Sequence, residues 1–216
     1  MIKVDVFQCN AFQENCYVAW DEASREAFVL DPGFATEWEW QRVARYLSDN
    51  TLTLKAVLLT HNHADHCMGS AFAAQACACE VWGSREDQDH MPSVGVQVRA
   101  FGLETEPHWQ PISRDLHEGD VLTLGQERVE VIDCPGHSHH GLCYYFAGSK
   151  VLFSGDVLFY CSVGRSDFGP AMGGNGPLLV QSIVQKLLTL PQDVKVYPGH
   201  GPQTTIATEA TYNRYI

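Results

Sequence analysis

Residues 54–60, LKAVLLT, are apolar almost throughout, and the next six, HNHADH, hold three histidines and an aspartate. A continuous apolar run of this length is the pattern of a strand buried on both faces, which needs cover above and below its sheet. Three later segments repeat the arrangement: CPGHSHH follows VEVID, FSGD follows KVL, and YPGHG follows VKV. Each places histidine or aspartate at the end of an apolar strand, where α/β folds hold functional loops on a rigid scaffold.

The rest of the chain agrees with an α/β class. IKVDVFQ, NCYVAWD and AFVLDPG, separated by turn residues, predict an antiparallel meander over the first thirty residues. Apolar residues at Trp40, Val43, Ala44 and Leu47 predict a helix from Thr36 to about Asp49, with Thr36 as its N-cap. A second helix starts near His63 and runs through CMGSAFAAQAC, and a third covers PLLVQSIVQKLLTL. Residues 84–118 are polar and weakly periodic and read as a loop-rich excursion. The outline is two layers of sheet flanked by helices. With 216 residues, 45% of them hydrophobic, one core suffices, and residues 1–216 read as a single domain.

Charge and composition exclude several functions. The formal net charge of −12 offers no positive field to a phosphate backbone, and the scattered basic residues form no patch for a membrane surface. No segment approaches the roughly 18 apolar residues of a membrane span, and MIKVDVFQCN lacks a signal-peptide core, so a cytoplasmic protein is expected. The eight cysteines sit mostly in apolar runs without framework spacing and read as reduced, buried thiols. Cys77 and Cys79 have no second pair nearby to complete a metal site.

The histidine segments have the spacing of a metal site. His61 and His63, two apart on an extended segment, point the same way, while Asp65 and His66 follow a turn later and can face a second position. Two ions side by side are geometrically reasonable. Glycines before His137, on both sides of His200 and before Asp156 free the backbone to turn those side chains into a cleft. Nitrogen and oxygen donors of this kind suit zinc, and also iron or manganese.

THNHADH, PGHS, FSGD and PGHG, in this order and separation, resemble the metallo-β-lactamase fold superfamily. LFSGDVLFYCSVGRSDF and the end GHGPQTTIATEATYNRYI are similar to its short, single-domain glyoxalase-II-like (hydroxyacylglutathione hydrolase-like) hydrolases. The likeness runs from NCYVAW to the last residues. It implies a four-layer αββα sandwich of mixed sheets with helices on the outer faces. It also implies that His61, His63 and His137 hold one divalent ion, that Asp65, His66 and His200 hold another, and that Asp156 bridges both. A water shared by two such ions, most simply zinc, becomes hydroxide near neutral pH while the ions polarise a substrate carbonyl. Asp65 also orients the hydroxide in this reading, and Asp31 accepts an imidazole N–H or braces its loop.

The substrate expectation is a small thioester resembling S-lactoylglutathione. The common β-lactam hydrolases of the superfamily place a cysteine where this chain has Asp156, and its nucleases carry a large extra domain and a basic surface. Full-length glyoxalase II enzymes hold glutathione with basic residues of a further helical domain, which these 216 residues lack. Arg165 is a candidate for a substrate carboxylate or for a salt bridge with Asp167. Rival readings are a persulfide dioxygenase with one iron on two histidines and an aspartate, a lactonase, and a non-catalytic metal-binding protein. His90, His108 and His117 read as surface residues, His139 and His140 as unneeded by the pattern, and Trp38 and Trp40 as helix packing.

Overall fold

The computed structural model describes residues 1–216. Its first strands, β1 (Ile2–Cys9), β2 (Glu14–Asp21) and β3 (Glu26–Leu30), form the expected antiparallel meander. In β2, Cys16, Val18 and Trp20 face one side, Tyr17 and Ala19 the other, and all five are buried. Helix α1 (Glu37–Asp49) begins at a capping box: the Thr36 hydroxyl accepts from the Glu39 N–H, and the Glu39 carboxylate accepts from the Thr36 N–H. Trp40, Val43 and Leu47 pack inward. Trp38 is exposed under the Arg42 guanidinium, so only one of the two tryptophans is helix packing.

β4 (Thr53–Leu58) lies parallel to β3 and delivers the chain to the histidine-rich segment. The single helix expected from His63 is two, α2 (Ala64–Cys67) and α3 (Ser70–Cys77), broken at Met68–Gly69. The Gly69 N–H donates to the Pro32 carbonyl, and a Cβ at Gly69 would lie 2.5 Å from that of Phe34. The helix yields there to the chain leaving β3.

β5 (Glu80–Gly83) adds to the sheet, and the stretch that follows is more ordered than a loop. It contains α4 (Arg85–His90), α5 (Val94–Ala100) and the edge strand β6 (Arg114–Asp115). Both helices are short and bury polar residues, Asp87 in one and Gln97 in the other, so no apolar period marks them.

The second sheet runs through β7 (Val121–Leu124), β8 (Glu127–Asp133), β9 (Leu142–Phe146) and β10 (Val151–Gly155). A small hairpin, β11 (Leu158–Phe159) and β12 (Ser162–Val163), precedes α6 (Gly176–Ser182), which continues as a π-helical turn over Ile183–Leu187. β13 (Lys195–Pro198), β14 (Thr204–Thr205) and α7 (Ile206–Tyr212) end the chain.

Each sheet has six strands, β1 to β6 in order and β14-β13-β10-β9-β8-β7, and each mixes parallel and antiparallel pairs. Phe28, Leu30, Leu58, Tyr144 and Phe153 fill the layer between the sheets. The opposite faces pack on α1, α3 and α5 on one side and on α6 on the other. The result is the four-layer αββα sandwich. Its register brings the C-terminal ends of β3, β4, β8, β10 and β13 to one edge, where the loops of both sheets meet. No helix is long and apolar enough to cross a membrane, and all eight cysteines are free. Cys9, Cys16, Cys67, Cys134 and Cys143 are buried, whereas Cys77 is exposed.

Candidate metal centre

At that edge the loop after β4 brings His61 and His63 against His137 from the loop after β8. His63 Nδ1 lies 3.0 Å from His61 Nε2 and 2.9 Å from His137 Nε2, and the last two are 3.2 Å apart. Around a tetrahedral zinc with Zn–N of about 2.05 Å, the N···N edges are about 3.3 Å, so the triangle is a slightly contracted face of such a site.

A second group sits beside it. His200 Nε2 lies 3.3 Å and His66 Nε2 3.7 Å from Asp65 Oδ2. Asp156 stands between the groups: its Oδ2 is 3.5 Å from His137 Nε2 and 3.6 Å from His200 Nε2, and its Oδ1 is 3.4 Å from His66 Nε2. All seven residues are thus brought together. His66 Nε2 and Asp156 Oδ1 are buried without a hydrogen-bond partner, a cost that a cation ligated between them would remove. The donor set fits two divalent cations.

The outer nitrogens of four imidazoles are tied down, which dictates their tautomers. His137 Nδ1 donates to the Arg165 carbonyl at 2.6 Å and His200 Nδ1 to that of Phe12 at 3.2 Å. His66 Nδ1 donates to Asp31 Oδ2 at 3.1 Å. His61 Nδ1 donates to Thr60 Oγ1 at 3.0 Å, and that hydroxyl donates to Asp31 Oδ2 at 2.6 Å. Each therefore turns an Nε2 lone pair toward the cleft. Asp31 Oδ1 also accepts the Thr60 N–H at 2.7 Å. It does so at φ +48°, a left-handed conformation that Asp tolerates better than most residues.

Electrostatics divides the two groups. Burial pushes His61, His63 and His137 below the ordinary imidazole range, His63 to about 4, and neighbouring imidazoles add to this at the first two. They are neutral near pH 7, as metal ligands must be. Burial acts the same way on His66 and His200, but Asp156 and Asp65 outweigh it and hold both above the usual range. The same imidazoles hold Asp65 and Asp156 below the carboxylate range against burial.

Close-packed glycines fix the cleft. A Cβ on Gly33 would lie 1.7 Å from the Asp65 carbonyl oxygen, and one on Gly164 as close to that of Asp156. These contacts admit no other residue.

Several supporting residues escaped the sequence reading. Asp87 Oδ2 accepts from the Asn62 N–H at 2.8 Å, and Gln97 accepts from Ala64 N–H at 2.9 Å and donates to the Asn62 carbonyl at 3.0 Å. The excursion therefore clamps the residues that alternate with the ligands. The Ser84–Asp87 spacing of a helix N-cap was its one signal. Glu14 is fully buried 3.9 Å from His66 Nδ1 with no donor on either oxygen, and burial pushes its carboxyl well above the ordinary range. An acid inside the apolar run ENCYVAW was its mark. Arg165 lines the cleft while paired with Asp167 at 2.9 Å. His90, His108 and His117 are exposed, and His140 is held by Glu86 and Asp133 away from the cleft.

A family model of the metallo-beta-lactamase superfamily matches residues 9–200. The chain is 34% identical over 216 residues to hydroxyacylglutathione hydrolase GloC of Haemophilus influenzae, covering 100% of this chain and 98% of that one. Among solved structures, BLEG-1, a B3 metallo-beta-lactamase, is similar with a TM-score of 0.86 and 32% identity over 99% of both chains. TTHA1623 in a di-iron-bound form is similar with a TM-score of 0.84 and 32% identity, over 98% of this chain and 100% of that one.

Proposed function

Since the chain belongs to the metallo-β-lactamase superfamily, we propose that it is a metal-dependent hydrolase of small acyl thioesters, acting as one domain with two divalent cations. The observation that carries this reading is the Asp156 carboxylate, set between two donor groups within 3.6 Å of His137 and His200. His61, His63 and His137 would hold one cation and Asp65, His66 and His200 the other, with Asp156 shared. Bound there, the cations would supply Lewis acidity and a nucleophilic water at neutral pH.

The protein's own groups do the rest. Asp65, facing the cleft, orients the attacking water. Phe12, Phe101, Phe159 and Phe168 give the opening its apolar lining. The 34% identity to a hydroxyacylglutathione hydrolase supports the thioester, and the free thiols support a cytoplasmic setting.

The test is protein loaded with zinc, iron or manganese and offered S-lactoylglutathione, other acyl thioesters, a lactone, glutathione persulfide and a β-lactam. Iron is included because a similar structure carries two irons, and the β-lactam because another is a B3 metallo-beta-lactamase. Turnover of a thioester with two metals per chain supports the proposal. Oxygen uptake on the persulfide with one iron per chain would replace it with a dioxygenase, and metal uptake without turnover of any compound with a non-catalytic metal protein.

A further inference from the structure

Apart from proposed metal ligands, the cleft of about 320 Å³ is lined by Phe12, Phe101, Phe159, Phe168 and Arg165. Phe12 and Phe101 meet edge-on with ring centroids 5.8 Å apart and remain 41% and 40% exposed, an unfavourable position for two large apolar rings in the free protein. Phe159 lies edge-on to His200 at 6.2 Å, and the Phe12 carbonyl accepts from the same histidine. Phe12, Phe101 and Phe159 thus form the apolar part of the lining on the His200 side. On the other side Phe168 stands 5.3 Å from His63 and 5.6 Å from His137, with the Arg165 guanidinium over its ring at 4.6 Å.

The only guanidinium or ammonium in the lining is Arg165, which pairs with Asp167 through Nε and Nη2 at 2.9 and 3.2 Å. Arg165 stands on the Phe168 side, so the side lined by Phe12, Phe101 and Phe159 presents no guanidinium or ammonium to a charged acyl group. We infer that, granted the thioester-hydrolase reading on which this rests, the chain prefers acyl groups with a bulky apolar side chain. That side chain seats against Phe12, Phe101 and Phe159, while the polar thiol half lies toward Phe168 and Arg165. A phenyl or branched alkyl group there covers two half-exposed rings that the methyl of a lactoyl group leaves wet.

The test keeps the thiol constant and varies the acyl group: kcat/KM of the metal-loaded enzyme for S-mandeloylglutathione against S-lactoylglutathione. Both keep the 2-hydroxyl and differ in phenyl against methyl. The expected preference for mandeloyl is about tenfold or more, in the range that apolar pockets give for added hydrocarbon. Phe101→Ala and Phe159→Ala each reduce that ratio by about tenfold, and Phe101→Leu restores part of it. Phe168→Ala changes KM for both substrates and leaves the ratio in place. A wild-type ratio at or below one, or a ratio indifferent to Phe101→Ala and Phe159→Ala, overturns the inference. If no thioester is turned over, the hydrolase reading fails instead. Calorimetric binding of mandelate against lactate then still reads that part of the lining, and equal affinities refute the preference.

Discussion

Replacing Asp31 by Asn is the most informative single change, because one carboxylate fixes the orientation of two proposed ligands. Its oxygens take three donors: the Thr60 N–H at 2.7 Å, the Thr60 hydroxyl at 2.6 Å and His66 Nδ1 at 3.1 Å. Asn tolerates the left-handed φ of +48°, so the backbone stays in place and only charge and acceptor number change. With the amide oxygen kept on the Thr60 N–H, the amide NH2 faces both the hydroxyl and His66 Nδ1–H. The hydroxyl can rotate to accept. The imidazole cannot, and must either leave its N–H unpaired or move the proton to Nε2, where it removes the lone pair aimed at the cleft. A lost hydrogen bond to a charged group is worth about 1.5–3 kcal/mol. Outer partners of metal ligands typically control affinity by about 10- to 100-fold. The two figures agree, since each tenfold is about 1.4 kcal/mol. Chelator competition should therefore show Asp31→Asn binding one zinc about 10- to 100-fold more weakly, with nitrogen NMR reporting a changed His66 tautomer. An affinity within twofold of wild type, with the tautomer unchanged, refutes the relay.

Three further outcomes follow from the same geometry. Gly33→Ala forces its Cβ against the Asp65 carbonyl oxygen, now 1.7 Å from that position, and displaces the start of α2; metal analysis should show occupancy falling from two ions per chain toward one, and two retained ions would contradict the assignment of Asp65. Tyr144→Phe deletes the hydroxyl that donates to the buried Leu59 carbonyl at 2.6 Å. An orphaned carbonyl costs about 1–3 kcal/mol, which for a chain of this size lowers Tm by roughly 2–4 °C per kcal/mol. An unchanged Tm would show that the carbonyl finds another donor. The metal-free protein should be most stable near neutral pH. His61, His63 and His137 titrate lower in the fold than in the unfolded chain, so the unfolded state takes up protons first and stability falls as pH drops below 6.5, through about 4 in the case of His63. His66 and His200 titrate higher in the fold, so their contribution is complete below 6.5 and fades as pH rises through their folded values. A Tm of metal-free protein that climbs steadily from pH 7 to pH 5 would refute this.

The parts of the site legible in the sequence share one property: their chemistry is local. His61, His63, Asp65 and His66 occupy a single segment, and His137, Asp156 and His200 each carry an adjacent glycine at the end of an apolar strand. Strand burial was legible for the same reason in β4, whose apolar residues at consecutive positions are covered on both faces. The break at Gly69 was hidden because its cause, Phe34, lies on another segment. Glu14, Asp87 and Gln97 were hidden by type, because a buried polar side chain looks like a surface one until its partners are known.

That hidden class also explains why residues 84–118 are polar and yet ordered. Asn62 and Ala64 alternate with the ligands His61, His63 and Asp65, so their backbone groups point away from the cleft toward donors and acceptors that must come from elsewhere. A polar N–H buried there without a partner would cost about 1–3 kcal/mol. Asp87 and Gln97 satisfy these groups, and Asp87 Oδ1 also accepts the His140 N–H at 2.9 Å, tying the loop that carries His137 to the same carboxylate. One buried acid from α4 thereby sets the spacing between loops of two different sheets. The excursion is polar because the segments it clamps expose backbone, and apolar side chains there would leave the histidine loops without the bonds that hold their nitrogens about 3 Å apart.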